Sequence, residues 1–365
     1  MDAAESKLIC REKVTDATAS LFADSVEVPE RFIRTNEIQA AVVVVGEDEA
    51  HELPVIDMAK LLDPKSSALE TAKLGSACRN WGFFQVTNHG ADEAAIQRMK
   101  ESTVQFFSLP LEAKNAIAFR GENVYEGFGH HFSGPASAGK LDWAECVLLT
   151  TQPIHARNME LWPTSPPTFR HALDRYSMEM MNLARRLLGF MATDLGVSRE
   201  ALLGAFFGGD AAGGKGQSMS FHHYPPCRHP DKVMGIAPHT DLFGLTLLLH
   251  VDDTPGLQIK KDGRWFPVRP LPGAFVVNVG VALVVLTNGA YRSVEHRVVP
   301  SAEKSRATIA TFQDACVEGM VRPLPELLNG GEAQARYKSI EKLEYRKGNV
   351  KALDEGTRFL DSLKL

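Results

Sequence analysis

Two histidines and one aspartate carry the sharpest chemical signal in this chain: His239, Asp241 and His296. In His239-Thr240-Asp241 an imidazole and a carboxylate lie two residues apart, so on an extended strand both side chains point the same way. His296 follows 57 residues after His239, and Arg306-Ala307-Thr308 comes shortly after that. Two imidazoles and one carboxylate on one face of a metal are the ligand set of non-haem Fe(II) oxygenases, which leaves the other positions open. A guanidinium nearby can grip a carboxylate through two parallel hydrogen bonds. The combination predicts a site for Fe(II) and a dicarboxylate co-substrate, 2-oxoglutarate.

The chain holds two His-x-Asp matches, and they are not equivalent. His229-Pro230-Asp231 follows Tyr224-Pro225-Pro226-Cys227-Arg228, a turn-like run, and the proline between the partners favours an irregular surface segment. His239-Thr240-Asp241 leads into Leu245-Thr246-Leu247-Leu248-Leu249, a buried-strand pattern, and a ligand pair at the mouth of such a strand sits on rigid scaffold. Taken alone, either pair is more simply a satisfied core or surface histidine. The downstream residues change that balance. A strand is expected over 294–299, a turn over 300–304 and a second strand over 306–312. With the turn centred on Ala302, Arg306 would pair with Val298 and Thr308 with His296, which puts all four on one face. An inward arginine is costly unless an anion meets it. The plainer explanation for that anion is an internal Asp or Glu.

The elements that must position these residues can be read in order. Residues 1–52 are polar and acidic and read as an N-terminal arm with short helices. A domain over 53–160 opens with a strand at 54–57, an amphipathic helix at 68–79 and a buried strand at 81–86 that ends in Asn88-His89-Gly90. Asp92 then caps a helix running to about Phe107. Residues 120–140, rich in glycine and aromatics, have loop composition, and Tyr125, Phe128, His131 and Phe132 from this stretch are candidate pocket residues. A connector over 161–212 is dominated by one helix from 167 to 195. Its stripe of Phe169, Leu173, Tyr176, Met180, Leu183, Leu187, Phe190 and Leu195 is most simply core packing. Over 213–315 the pattern switches to short strands at 218–224, 245–250, 257–260, 265–269, 274–279, 281–286, 294–299 and 306–312, with Asp262-Gly263 as a hairpin signal. Such a series predicts an antiparallel double sheet, a jelly roll, flanked by helices in a mixed α and β fold. Residues 316–365 read as a C-terminal helical segment.

Composition narrows the partners. A chain of 365 residues can build a large core. Its net charge of −5 is mild and no basic stripe tracks along it, so nucleic acid is not an expected partner. Five cysteines are scattered, and none forms a C-x-x-C pair, which fits a reduced compartment rather than a disulfide framework. The start lacks the basic-then-apolar order of a signal peptide, and the apolar run at 40–45 is too short to span a bilayer. A cytoplasmic monomer is the expectation.

The chain also resembles a known family. Val28-Pro29-Glu30-Arg31-Phe32-Ile33-Arg34, Leu53-Pro54-Val55-Ile56-Asp57, Trp81-Gly82-Phe83-Phe84-Gln85-Val86-Thr87-Asn88-His89-Gly90 and Lys140-Leu141-Asp142-Trp143 are similar, in order, to the plant soluble 2-oxoglutarate- and Fe(II)-dependent dioxygenases. Tyr224-Pro225-Pro226-Cys227, Pro238-His239-Thr240-Asp241, Thr287-Asn288-Gly289 and Ser293-Val294-Glu295-His296-Arg297-Val298 continue the match. The resemblance implies a double-stranded β-helix core with His239, Asp241 and His296 as iron ligands. It also implies that Arg306 holds the distal carboxylate of 2-oxoglutarate, helped by Thr308 and Tyr224. There are departures. The family's Arg-x-Ser is Arg306-Ala307-Thr308 here, and its Asn-Tyr is His222-His223, so His222 replaces an amide expected near the co-substrate. A second metal site at His222 and His223 is not expected, because adjacent strand residues face opposite sides. Gly280-Val281 stands where Gly-Asp is usual, and Val284 replaces a polar residue, so a more apolar wall is expected there.

The implied reaction couples substrate oxidation to the conversion of 2-oxoglutarate and O2 into succinate and CO2, with ascorbate as a supporting reductant. Hydroxylation, demethylation and desaturation differ only in which substrate carbon is held at the metal. Phe243 and Phe312 join the loop aromatics as pocket candidates by analogy. An aromatic, low-charge lining points to a hydrophobic small molecule, such as a phenolic, alkaloid, terpenoid or hormone-like compound. Two other readings use the same fold. A zinc-dependent hydrolase would employ the triad but leave Arg306 unexplained. A non-catalytic small-molecule binding protein would not need the triad intact.

Overall fold

The computed structural model describes residues 13–15, 18, 27–35, 38, 52–119, 126–130, 140–207, 215–328, 334–355 and 357–365. Two β-sheets organise it. Their strands are β1 (Val55–Asp57), β2 (Phe83–Thr87), β3 (Gly127–His130), β4 (Glu145–Gln152), β5 (Gly216–Tyr224), β6 (Ile236–His239), β7 (Leu245–His250), β8 (Leu257–Lys261), β9 (Arg264–Pro267), β10 (Phe275–Val279), β11 (His296–Val298) and β12 (Arg306–Asp314). The larger sheet has eight strands in the order β1-β2-β10-β7-β12-β5-β4-β3, and the smaller has four in the order β6-β11-β8-β9. Only the β1–β2 pair within them is parallel. The larger sheet therefore interleaves strands from 53–160 with strands from 213–315. Phe83, Tyr224 and Val276 of the larger sheet pack in one apolar cluster with Ile236, Leu257, Ile259 and Val298 of the smaller. That shared cluster is the inside of the jelly roll.

Four helices matter for the site: α1 (Ser67–Asn80), α2 (Glu93–Phe107), α3 (Phe169–Leu195) and α4 (Val281–Leu286). The apolar stripe of α3 packs on the outer face of the larger sheet. Phe169 meets Phe221 with ring centroids 5.5 Å apart, and the Gln217 amide donates to the Ser177 carbonyl at 3.1 Å. Leu173, Tyr176, Met180, Leu183 and Leu187 are fully buried there. Each such side chain contributes about 1.5–3 kcal/mol by leaving water. Asp92 Oδ1 accepts the Ala94 amide and caps α2, as its position in the sequence predicts.

Three expectations change. Residues 281–286 form α4, not a strand. All six are apolar and buried, and a short continuous apolar run reads the same as a buried strand or a buried helix. Within 120–140, residues 127–130 form β3, at the edge of the larger sheet. The hairpin expected across 294–312 does not exist: β11 pairs with β6 and β8, whereas β12 pairs with β5 and β7. The turn at 300–304 crosses from one sheet to the other. The hairpin at Asp262-Gly263 does form between β8 and β9, with φ of 49° and 79° at those two residues, the left-handed pair that a tight two-residue turn requires.

Candidate functional site

His239 ends β6 and His296 begins β11, and the two are direct partners across that antiparallel pair. Their rings lie 4.2 Å apart, centroid to centroid. The Nδ1 of His239 meets the Ala237 carbonyl at 2.9 Å, and the Nδ1 of His296 meets the Val294 carbonyl at 3.2 Å. A carbonyl only accepts, so each Nδ1 carries a proton, and each Nε2 is the nitrogen that offers a lone pair when the ring is neutral. Both Nε2 atoms point at Asp241 Oδ1, at 3.6 and 3.5 Å. One ligand atom from each residue falls within 4.8 Å of the others, and this trio is the cluster able to hold a metal among the described residues. His229 and Asp231 are not part of such a cluster.

The larger sheet holds the carboxylate. Thr246 Oγ1 on β7 donates to Asp241 Oδ2 at 2.5 Å, and Asn278 Nδ2 on β10 donates to the same oxygen at 2.7 Å. One oxygen is thus tied back while the other faces the imidazoles. Backbone contacts fix the segment: the Val281 amide donates to the Asp241 carbonyl at 2.8 Å. A Cβ on Gly280 would lie 2.0 Å from the Phe243 carbonyl oxygen, so only glycine allows this approach. Thr246, Asn278 and Gly280 were not singled out from the sequence, where nothing marks their link to Asp241. Electrostatics follow the geometry. Burial alone would raise the Asp241 carboxyl, but the two imidazoles and Asn278 outweigh it and hold it well below the usual carboxylate range. Burial and the neighbouring His239 push His296 down to about 4. Burial opposes a charge on His239 as well, yet its contacts with Asp241 leave it raised.

A second feature sits along the same inner face. Arg306, Thr308, Ala310 and Phe312 alternate inward on β12, opposite Tyr224, His222, Ser220 and Ser218 on β5. Arg306 is 1 % exposed; among the described residues its guanidinium meets no carboxylate, and its side-chain hydrogen-bonding contact is the Tyr224 hydroxyl, in geometry too poor to satisfy any of the three nitrogens. Burial lowers its pKa. It lies over the Tyr224 ring, 5.0 Å from the centroid. The carboxylate whose charge reaches it, Asp252, spends its oxygens on the Ala307 and Thr254 amides at 2.6 and 2.9 Å. Among the described residues, then, no internal acid forms an ion pair with Arg306, and the internal-acid explanation for an inward arginine finds no partner there. Tyr224 is buried and its hydroxyl is pushed up to about 12. Tyr224 and Val298 both crowd Gly235, which brings the Arg306 end of β12 alongside the strand that carries His296. The His222 Nε2 meets Ser220 Oγ at 3.1 Å, and its ring stacks beside Tyr224. His223 points the other way, to Glu145 Oε1 at 2.9 Å and the Phe107 ring, so the two histidines do face opposite sides.

The remaining candidates separate. Phe243 and Phe312 stack with centroids 4.5 Å apart, both half-buried, on the inner side. Phe83, also inward, packs edge-on against His296 at 5.2 Å and was missed. Phe128 is a correction: it is fully buried against Phe106 and beneath Lys114 on the helix-covered side, because its strand position places it opposite Val147 rather than in the chamber. Tyr125, His131 and Phe132 lie outside the described residues. Val281 and Val284 belong to the large apolar core.

Two imidazoles, one carboxylate and a buried guanidinium thus face one interior, and comparison with known proteins identifies the family. Residues 215–315 match the 2OG-Fe(II) oxygenase superfamily, and residues 53–165 match the N-terminal region described as "non-haem dioxygenase in morphine synthesis". The chain belongs to the 2OG-Fe(II) oxygenase superfamily. It is an Fe(II)- and 2-oxoglutarate-dependent dioxygenase, an oxidoreductase with O2 as co-substrate. It is 40 % identical to Protein SRG1 of Arabidopsis thaliana over 338 residues, covering 93 % of this chain and 92 % of that protein. It is 36 % identical to oxoglutarate-dependent flavonoid 7-O-demethylase 1 of Ocimum basilicum, covering 100 % and 95 %. The crystal structure of JOX2 in complex with 2OG, Fe and JA superposes with a TM-score of 0.79 at 29 % identity, covering 97 % and 98 %. No described helix is long and apolar enough to cross a membrane.

Proposed function

We propose that His239, Asp241 and His296 hold Fe(II), that Arg306 with Thr308, Tyr224 and His222 binds the distal end of 2-oxoglutarate, and that the oxidised substrate is a hydrophobic small molecule. The observation that carries this reading is the buried guanidinium of Arg306, which has no carboxylate partner among the described residues and lies on the interior the triad also faces. An uncompensated buried cation is costly, and a carboxylate from outside resolves it. The donor set also fits a ferrous ion: two neutral imidazole lone pairs and one ionised oxygen, with the Nδ1–H of each ring anchored to backbone. When bound, iron supplies the activation of O2 that couples loss of CO2 from 2-oxoglutarate to oxidation of a substrate carbon.

The protein's own residues do the positioning. Thr246 and Asn278 orient one carboxylate oxygen and free the other for the metal. Arg306 fixes the co-substrate's tail, which sets the direction from which its keto-acid head approaches. Phe243 and Phe312 offer aromatic surface to the substrate and exclude water, while Phe83, fully buried, supports the His296 ring edge-on from behind. A flavonoid demethylase among the relatives favours O-demethylation or hydroxylation of an aromatic or polycyclic compound. The test is anaerobic addition of Fe(II) and 2-oxoglutarate, watched for a weak visible charge-transfer band, followed by a screen of aromatic methyl ethers and terpenoids for succinate-coupled products. His239→Ala should abolish the band. A variant that keeps the band and turns over normally would overturn the ligand assignment.

A further inference from the structure

One buried titratable side chain on the inner face has no role in the reading above. His250 ends β7 and is 7 % exposed, and neither of its ring nitrogens has a hydrogen-bond partner among the described residues. Its position is set by pairing. Thr308 is the direct partner of His250 on one side and of His222 on the other. His222, Thr308 and His250 therefore form one row across β5, β12 and β7, on the face that Arg306 shares two residues away. Side chains of direct partners lie about 4.5–5.5 Å apart at Cβ and diagonal neighbours about 7–8 Å, so the His250 ring reaches the space in front of the guanidinium.

The chemistry of the ring suits that place. Burial, and then the Arg306 charge, push its pKa well below the ordinary histidine value, so the ring is neutral. A neutral imidazole always carries one N–H donor and one acceptor. Beside Arg306 it adds a hydrogen bond to an anion without adding a second cation that would repel the first. Left unfilled, the donor is a desolvated group with nothing to bind.

We propose that His250 is a further co-substrate contact, donating its ring N–H to the distal carboxylate that Arg306 grips. This rests on the assignment of Arg306 to that carboxylate. It predicts that His250 sharpens the choice of 2-oxoglutarate over 2-oxo acids that lack the second carboxylate.

The experiment is an anaerobic titration of the Fe(II)-loaded protein, reading the visible chelation band, with 2-oxoglutarate and with 2-oxobutyrate, which has the chelating head but no distal carboxylate. His250→Leu should weaken 2-oxoglutarate about tenfold, as expected for one lost hydrogen bond to a charged group, and leave 2-oxobutyrate unchanged. His250→Gln, which retains a donor, should recover most of the loss. His250→Met provides a second donor-free replacement should the leucine variant misfold. Equal weakening of both acids, or of neither, overturns the proposal. Arg306→Met separates the two levels: if it leaves the preference for 2-oxoglutarate intact, the carboxylate assignment itself fails. If it abolishes the preference while the His250 variants do not, only the His250 contact fails.

Discussion

Replacing Arg306 with methionine should make the metal-free protein more stable while destroying its hold on 2-oxoglutarate. The guanidinium is 1 % exposed, with no carboxylate partner among the described residues and only a poorly aligned contact with the Tyr224 hydroxyl. A buried donor without a partner costs about 1–3 kcal/mol, and more when charged, so about 4 kcal/mol is reasonable for the group. Its contacts with Tyr224, over the ring and at the hydroxyl, together return at most about 2 kcal/mol. Methionine keeps the apolar stem and loses the charge, for a net gain of about 2 kcal/mol. Unfolding entropy of about 2 cal/mol/K per residue over 365 residues converts that gain into a rise of about 2–3 °C in Tm.

Ligand binding should move the other way. Two charged hydrogen bonds of about 1.5–3 kcal/mol each vanish, which raises the 2-oxoglutarate Kd by about 10²–10⁴-fold. The assay is a pair of thermal melts, one without metal and one with Co(II) and 2-oxoglutarate at about 100 times the wild-type Kd. Under those conditions the wild-type protein gains about 2.7 kcal/mol from the co-substrate and the variant almost none, so their order of stability reverses. A metal-free variant less stable than wild type by 1 kcal/mol or more would mean that Arg306 has an internal partner. Equal ligand increments in both proteins would refute the carboxylate assignment.

Thr246→Val with Asn278→Val leaves Asp241 Oδ2 without donors, and Co(II) affinity measured by absorbance should fall by about 10–100-fold, with each single change giving part of the loss. Asp142, buried with Arg34 Nη2 at 3.3 Å, is raised to about 6 by burial in spite of that cation. The folded state holds this proton more tightly than the unfolded chain, so stability falls as pH rises from about 4 to about 6 and is flat above that. Urea melts should show Asp142→Asn removing about 3 kcal/mol of pH dependence from the wild-type curve over that window. Phe243→Ala unstacks Phe312 and should raise the substrate KM about tenfold or more while the chelation band with 2-oxoglutarate is unchanged.

The sequence made legible those features that local pattern controls. The α3 stripe repeats at helical spacing, the Asp92 cap and the Asp262-Gly263 turn are set by neighbouring residues, and each appears within a residue or two of its expected place. The errors arose where local pattern is silent. Residues 281–286 are apolar throughout and carry no period, and their backbone was decided by the docking of Val281 on the Asp241 carbonyl. Phe128 sits in an aromatic, glycine-rich stretch that resembles a pocket loop, yet one register position turns it toward α2 and Phe106. Thr246, Asn278 and His250 lie inside apolar strands that read as core, and only the pairing of β7 with β10 and β12 shows where their polar atoms go.

His296, Arg306 and Thr308 face one interior, but no hairpin brings them there. Sequence proximity suggested that β11 and β12 were neighbours, when they belong to opposite sheets. The residues converge because both sheets turn these positions inward, across the sandwich rather than along a ladder. The consequence is mechanical. Both imidazoles belong to the smaller sheet, and the carboxylate between them is tethered by Thr246 and Asn278 of the larger one. A metal held by all three would join the two layers at the point where they share their apolar cluster, and the co-substrate's tail would be bound to β12 of the larger sheet. Arg306 and the triad would be linked through the fold even though no described hydrogen bond runs between them.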